Sequence, residues 1–201
     1  MNQLKLFTVG HVLKELIRFP DKEIGPVLGG PAAYSAVTAG RLGVETGIVT
    51  HIGRDMPSEL LQPLQQAGID MSGIKTGDGD SRTTILSYDN KGNKNVIYEK
   101  VAPPILFRDV PEEYLKAKAA LICPMDFEVP ISTIRALHNK GIFLMADLGG
   151  FGGTVATVHP HSVDSNRHAF LKELLTYCPI IKASLEDCSY LFGLEQDPEA
   201  A

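Results

Sequence analysis

Cysteine, basic charge and long apolar runs are all scarce in this chain of 201 residues, and each scarcity narrows the reading. Cysteine occurs three times, at Cys123, Cys178 and Cys188, with no C-x-x-C pair. An odd, scattered set suits reduced thiols in a cytoplasm better than a disulfide framework. Lys and Arg number 19 against 24 Asp and Glu, a net charge of −5. Phosphate neutralisation needs clustered cations, so a broad nucleic-acid surface is excluded and small-molecule or protein partners are expected. No segment approaches the roughly 18 uninterrupted apolar residues of a membrane span, and "MNQLKLFTVGHVLKELI" lacks the long apolar core of a signal peptide. The expected location is cytoplasmic, without a membrane partner.

Hydrophobic content is 44% and charged content 21%, values of an ordinary globular chain. The chain reads as a single α/β domain over residues 1–201. "LKLFTVG" and "GIVTHIG" are short apolar runs of the buried-strand kind. Between them Pro31 opens a run of small and apolar residues, Ala32, Ala33, Ala36, Val37, Ala39 and Leu42, that forms a helix able to approach a sheet closely, with Gly43 to end it. "MPSELLQPLQQAG" repeats the helix pattern, with Pro63 confined to its start or to a kink. Strand, helix, strand, helix predicts a parallel sheet. The middle differs: "SRTTILSYD" and "NVIYEKV", joined by "NKGN", read as a β-hairpin. The alternation then resumes, with "AALICPM", "IFLMADLGG" and "YCPIIKAS" as strands. "VPISTIRALHNKG", "SNRHAFLKELLTY" and "LEDCSYLFG" are the helices, Ser165 being a candidate N-cap.

The stretch "LGGPAAYSAVTAGRLG", Leu28 to Gly43, raises the question of a ligand. It is not a P-loop, because Gly40-Arg41-Leu42 offers no lysine for the phosphates. It is not a dinucleotide fingerprint either, because the glycine spacing is wrong, which leaves little for a nicotinamide-binding reading. Glycines before a helix let backbone N–H groups approach a ligand, or simply let helix and sheet pack. "GGPAAYSAVTAGRLG", followed by "GIVTHIGRD" and "LQQAGID", resembles the N-terminal signature of the ribokinase-like (PfkB) carbohydrate and nucleoside kinases. The resemblance runs along essentially the whole chain, and its specificity lies in the parts taken together.

That resemblance implies a fold and a site. The fold is a mainly parallel sheet flanked by helices, with lid elements near residues 11–28 and 74–101 that cover the acceptor. Glu15 matches the family's acidic residue for substrate hydroxyls; the alternative is a solvated glutamate on a lid strand. Gly29 and Gly30 match its di-glycine, while Tyr34 stands where a sugar-binding asparagine is usual. A tyrosine can stack on a ring or offer one hydroxyl, but it lacks the paired donor and acceptor of an amide. Arg82, Thr84 and Tyr98 of the hairpin are candidates to face the acceptor. Glu128, in "MDFEVP", matches a substrate-facing glutamate, with an N-terminal helix charge as the alternative. In "IIKASLED", Lys182 matches the lysine of the family's region near the nucleotide phosphates, Ser184 stands there for an asparagine and Asp187 for a glutamate, and Glu186 or Asp187 would support Mg²⁺ through water. An ordinary N-capped helix explains Ser184 and its acidic followers equally well. "ADLGGFGGT" reads as a flexible turn, and His159, His161 and His168 as surface histidines.

The implied reaction is ATP-dependent and Mg²⁺-dependent phosphorylation of a hydroxyl on a sugar, sugar derivative or nucleoside. The family's catalytic aspartate sits in a late G-A-G-D segment that this chain does not show. "TGDGDS" imitates it on paper, but it follows a short strand with no apolar helix behind it and reads as a polar loop. The catalytic base is therefore expected in a C-terminal part absent here, with a non-catalytic sugar- or nucleoside-binding module as the alternative. The lid's strand edges offer a route to a homodimer.

Overall fold

In the computed structural model, residues 3–92, 94–125, 127–151, 156–158 and 167–193 are described. His159, His161 and Ser165 fall outside them, as does the second half of the glycine-rich turn. Six parallel strands form the main sheet: β1 (Leu6–Val9), β4 (Thr46–Gly53), β5 (Asp70–Gly77), β8 (Ala119–Ile122), β9 (Phe143–Asp147) and β11 (Ile180–Lys182). Their spatial order is β11-β9-β8-β1-β4-β5, and every pairing is parallel. On one face lie α1 (Pro31–Arg41) and α2 (Gln62–Gln66), whose Ala32, Ala33, Ala36 and Leu64 bury fully with Ile48. On the other face α3 (Ile131–Asn139), α4 (Arg167–Tyr177) and α5 (Leu185–Phe192) bury Ile134, Leu137, Leu171, Leu174 and Leu191 with Phe7 and Leu144. Burial on both faces is why these strands read as continuous apolar runs rather than alternating ones.

The small side chains of α1 bring its backbone close to β1, where Thr8 donates its hydroxyl to Ala32 O at 3.1 Å. Pro63 sits in the first turn of α2, where its missing N–H has no helical partner to lose. A 3₁₀ turn, Ser58–Leu61, precedes it, so the expected longer helix is split at the proline.

The hairpin is part of something larger. β6 (Thr83–Tyr88) and β7 (Lys94–Lys100) pair antiparallel as expected. β2 (Leu13–Arg18), β3 (Glu23–Gly29) and the short β10 (Ala156–Val158) join them in a five-stranded mixed sheet, ordered β10-β7-β6-β2-β3. Ile74–Gly77, inside the range expected to be lid, instead continues the edge of the main sheet as the end of β5.

Where the chain crosses between the sheets, a buried polar cluster forms. His11 lies between β1 and β2, Arg82 at the start of β6, Pro103 after β7 and Glu128 after β8. Glu128 Oε1 accepts the Met125 N–H at 2.6 Å and the His11 N–H at 3.4 Å. Arg82, with no exposed surface, lies over the Tyr98 ring at 4.9 Å, its Nη1 4.0 Å from Glu128 Oε2. The His11 ring donates from Nε2 to Pro103 O at 2.9 Å.

Burial drives the His11 pKa down from 6.5 to about 4, against the pull of Glu128 and with the help of Arg82. Between those two values the unfolded chain takes up a proton that the folded chain refuses. The stability that the neutral His11 contributes is therefore fully present above pH 6.5 and is lost, by about 3 kcal/mol, as pH drops toward 4. Urea midpoints measured across this range should show the loss, and His11→Gln, which keeps a donor for Pro103 O but cannot titrate, should flatten it.

Candidate active site

The C-terminal ends of parallel strands open toward the second sheet, the usual place for a ligand in such folds. There a cavity of about 410 Å³ is lined by Leu13, Glu15, Gly30, Pro31, Tyr34, Leu86, Lys94, Val96, Met125, Asp147, Gly149, Gly150, Lys182, Ser184 and Asp187. Six of the residues singled out from the sequence, Glu15, Gly30, Tyr34, Lys182, Ser184 and Asp187, meet on its walls although they are up to 172 positions apart (187 − 15).

The di-glycine makes this possible by removing side chains. A Cβ on Gly29 would come within 3.0 Å of the Glu15 carboxyl, and one on Gly30 within 2.6 Å of His11 O. Gly30 also has φ +99°, a conformation that other residues adopt at a cost. The pair lets β3 pass directly behind Glu15 and turn into α1.

Glu15 is mostly buried on β2. Thr84 Oγ1 donates to its Oε1 and Tyr34 Oη to its Oε2, both at 3.4 Å. Burial raises its pKa above the usual 4.5, opposed by the two hydroxyls and by Lys94. Long contacts to a desolvated carboxylate are replaceable ones, so the group is set to accept stronger hydrogen bonds from a ligand's hydroxyls.

On the same lining Lys182 ends β11 with its Nζ 3.3 Å from Asp147 Oδ1. The Gly149 N–H holds the same oxygen at 2.9 Å. Ser184 caps α5: its Oγ accepts the Asp187 N–H at 3.1 Å, while Asp187 Oδ2 accepts the Ser184 N–H at 2.8 Å and its O–H at 2.7 Å. The capping reading of Ser184 and Asp187 is therefore realised, and it happens on the cavity wall.

Arg82, Tyr98 and Glu128, also expected at the acceptor, are placed behind that wall. The Tyr98 hydroxyl stands within hydrogen-bond reach of the carbonyls of Met125 (3.0 Å) and Gly150 (2.9 Å), its one proton serving one of them at a time, and the ring packs with Leu13, Val96 and Met125 of the cavity lining. Arg82 and Glu128 belong to the crossing cluster. Of "TGDGDS", Thr76 and Gly77 end β5 and the remainder is the polar loop expected, with Asp78 paired to Arg54 and Asp80 to Lys100.

Sequence reasoning passed over Asp147 and Lys94. The signal for Asp147 was present: an acid closing the buried run "IFLMA" must emerge at the C-terminal edge of the sheet.

A family model described as pfkB family carbohydrate kinase matches residues 2–201. The chain belongs to the PfkB family. This PfkB chain is 34% identical over 199 residues to cytidine kinase of Thermococcus kodakarensis, a match covering 98% of the chain and 68% of that relative. Its fold is similar to a pyrophosphate-dependent kinase in the ribokinase family, with TM-score 0.76 and 22% identity over 96% of this chain and 66% of that one. It is likewise similar to Arabidopsis thaliana ribokinase complexed with ribose and ATP, with TM-score 0.71 and 17% identity over 99% and 66%. The chain thus spans about two thirds of the length of these relatives, and its described residues carry a ribokinase-like α/β fold.

Proposed function

We propose that the complete protein is a kinase that transfers the terminal phosphoryl group of ATP to a hydroxyl of a sugar or nucleoside. The observation that carries this reading is one cavity whose lining holds both the Glu15 carboxylate, from β2, and the Lys182 ammonium, from β11. Glu15 accepts hydrogen bonds from acceptor hydroxyls, and Lys182 meets phosphate oxygens. The likeness to a cytidine kinase supports a nucleoside as acceptor.

Mg²⁺ takes one or two carboxylates and completes its shell with water and phosphate oxygens. Asp147 and Asp187 offer two carboxylates on the wall that carries Lys182, a donor set that fits. The ion, when bound, neutralises charge developing on the transferred phosphoryl group. This chain's own residues bind and orient: Glu15 fixes the acceptor, Gly30 and the N-terminus of α1 admit it closely, and Lys182 aligns the donor. In this reading the base that takes the hydroxyl proton belongs to the third of the relatives' length that the chain does not span.

The test is to express the protein from its complete reading frame and assay it with Mg²⁺, ATP or pyrophosphate, and a panel of sugars and nucleosides. Turnover of a sugar or nucleoside supports the reading. Acceptor binding without phosphoryl transfer from either donor would replace it with a non-catalytic binding module.

A further inference from the structure

Tyr34 is the one aromatic side chain among the described residues lining the cavity. It projects from the first turn of α1, is 54% exposed, and shares the cavity lining with the apolar side chains of Leu13, Leu86, Val96 and Met125 as well as with the charged ones. Its hydroxyl is within reach of Glu15 Oε2 at 3.4 Å and Leu28 O at 3.5 Å, and the single proton can serve only one of them at a time. Burial and the neighbouring carboxylate push the phenol pKa up to about 12, so it remains a donor at any working pH.

We propose that Tyr34 makes this acceptor site selective for nucleosides over free sugars, offering its ring to the base and its hydroxyl to Glu15. The inference rests on the acceptor reading of the cavity above. A free pentose or polyol has nothing to cover the apolar lining residues, and it gains most when both Glu15 oxygens are open to its hydroxyls. Tyr34 holds one of them. A nucleoside brings a flat base that can lie against the Tyr34 ring and the apolar lining residues, and that contact offsets the Glu15 oxygen its sugar shares with Tyr34. A cavity of about 410 Å³ is within the size range of small-ligand sites.

The experiment uses direct titration of the complete protein, wild type, Tyr34→Leu and Tyr34→Phe, with the four ribonucleosides and with free ribose, beside unfolding midpoints as a fold control. Wild type is expected to prefer at least one nucleoside to ribose. Tyr34→Leu should weaken that nucleoside roughly tenfold through loss of the aromatic face, without weakening ribose. Tyr34→Phe should keep the nucleoside affinity and tighten ribose, because it retains the ring and frees Glu15 Oε2. Equal weakening of nucleoside and ribose in Tyr34→Leu, or a wild type that prefers ribose, overturns the inference. Because binding is read without turnover, a protein that shows this pattern yet phosphorylates nothing keeps the inference and loses the kinase reading. One that phosphorylates sugars alone does the reverse.

Discussion

Glu15→Ala in the complete protein is expected to lower kcat/KM for the acceptor about a hundredfold or more, with kcat falling as well as KM rising. The magnitude follows from hydrogen bonds to a charged acceptor, worth about 1.5 to 3 kcal/mol each, of which a diol would make two. It is large because the carboxylate is already stripped of water: its present partners, Thr84 and Tyr34, sit at 3.4 Å and leave most of its hydrogen-bonding capacity for the ligand. The pH profile gives a second reading. Burial raises the Glu15 pKa above 4.5, so the ionised form that accepts hydroxyls is lost at a higher pH than for an ordinary glutamate. The acid limb of kcat/KM should lie on the high side of 4.5 in the wild type and vanish in Glu15→Gln. The linked stability has the opposite sign. From pH 4.5 up to the raised value the folded chain holds more protons than the unfolded one, so stability falls as pH rises through that window, and Glu15→Gln should not show the fall. An unchanged KM with a lowered unfolding midpoint would remove Glu15 from the acceptor site.

The parallel sheet was legible because strands covered on both faces leave an unambiguous trace. "LFTV" and "TGIVTHIG" are short apolar runs, and Pro31 and the alanines of α1 mark a close-packed helix between them. The second sheet left a weaker trace. β2 carries Lys14, Glu15 and Arg18 among its apolar residues, and β3 is interrupted by Gly25 and Pro26 and exposed along much of its length. Such strands are held by their neighbours in the sheet more than by their own propensity.

The site divides in the same way. Glu15, Gly29 and Gly30 were legible through their likeness to the family's signature, and the cap of α5 at Ser184 through its residue type and the acids that follow it. The hairpin residues were not. β6 buries Thr83, Thr84 and Ile85 in succession, so no alternation tells which side chain turns toward the cavity and which toward the crossing between the sheets. Thr84 reaches Glu15, whereas Arg82, two positions earlier, lies behind Tyr98.

That placement gives Glu128 a different expected effect from the one its sequence context suggests. Glu128→Ala should lower the unfolding temperature by about 10 °C while leaving the acceptor KM of the molecules that remain folded close to wild type. The carboxylate receives the Met125 and His11 N–H groups and stands 4.0 Å from the guanidinium of Arg82, with both side chains fully buried. Removing one partner of a buried charged pair leaves the other uncompensated, at a cost of about 3 to 5 kcal/mol. For a domain of this size each kcal/mol moves the midpoint by roughly 2 to 4 °C. Arg82→Met alone should be costly for the mirror-image reason, since it strands the carboxylate. The double variant Arg82→Met, Glu128→Leu removes both charges and should lose less than the two single losses added together. If Glu128→Ala instead kept its unfolding temperature and raised the acceptor KM, the carboxylate would turn into the cavity on binding, and the crossing between the sheets would be part of the acceptor site.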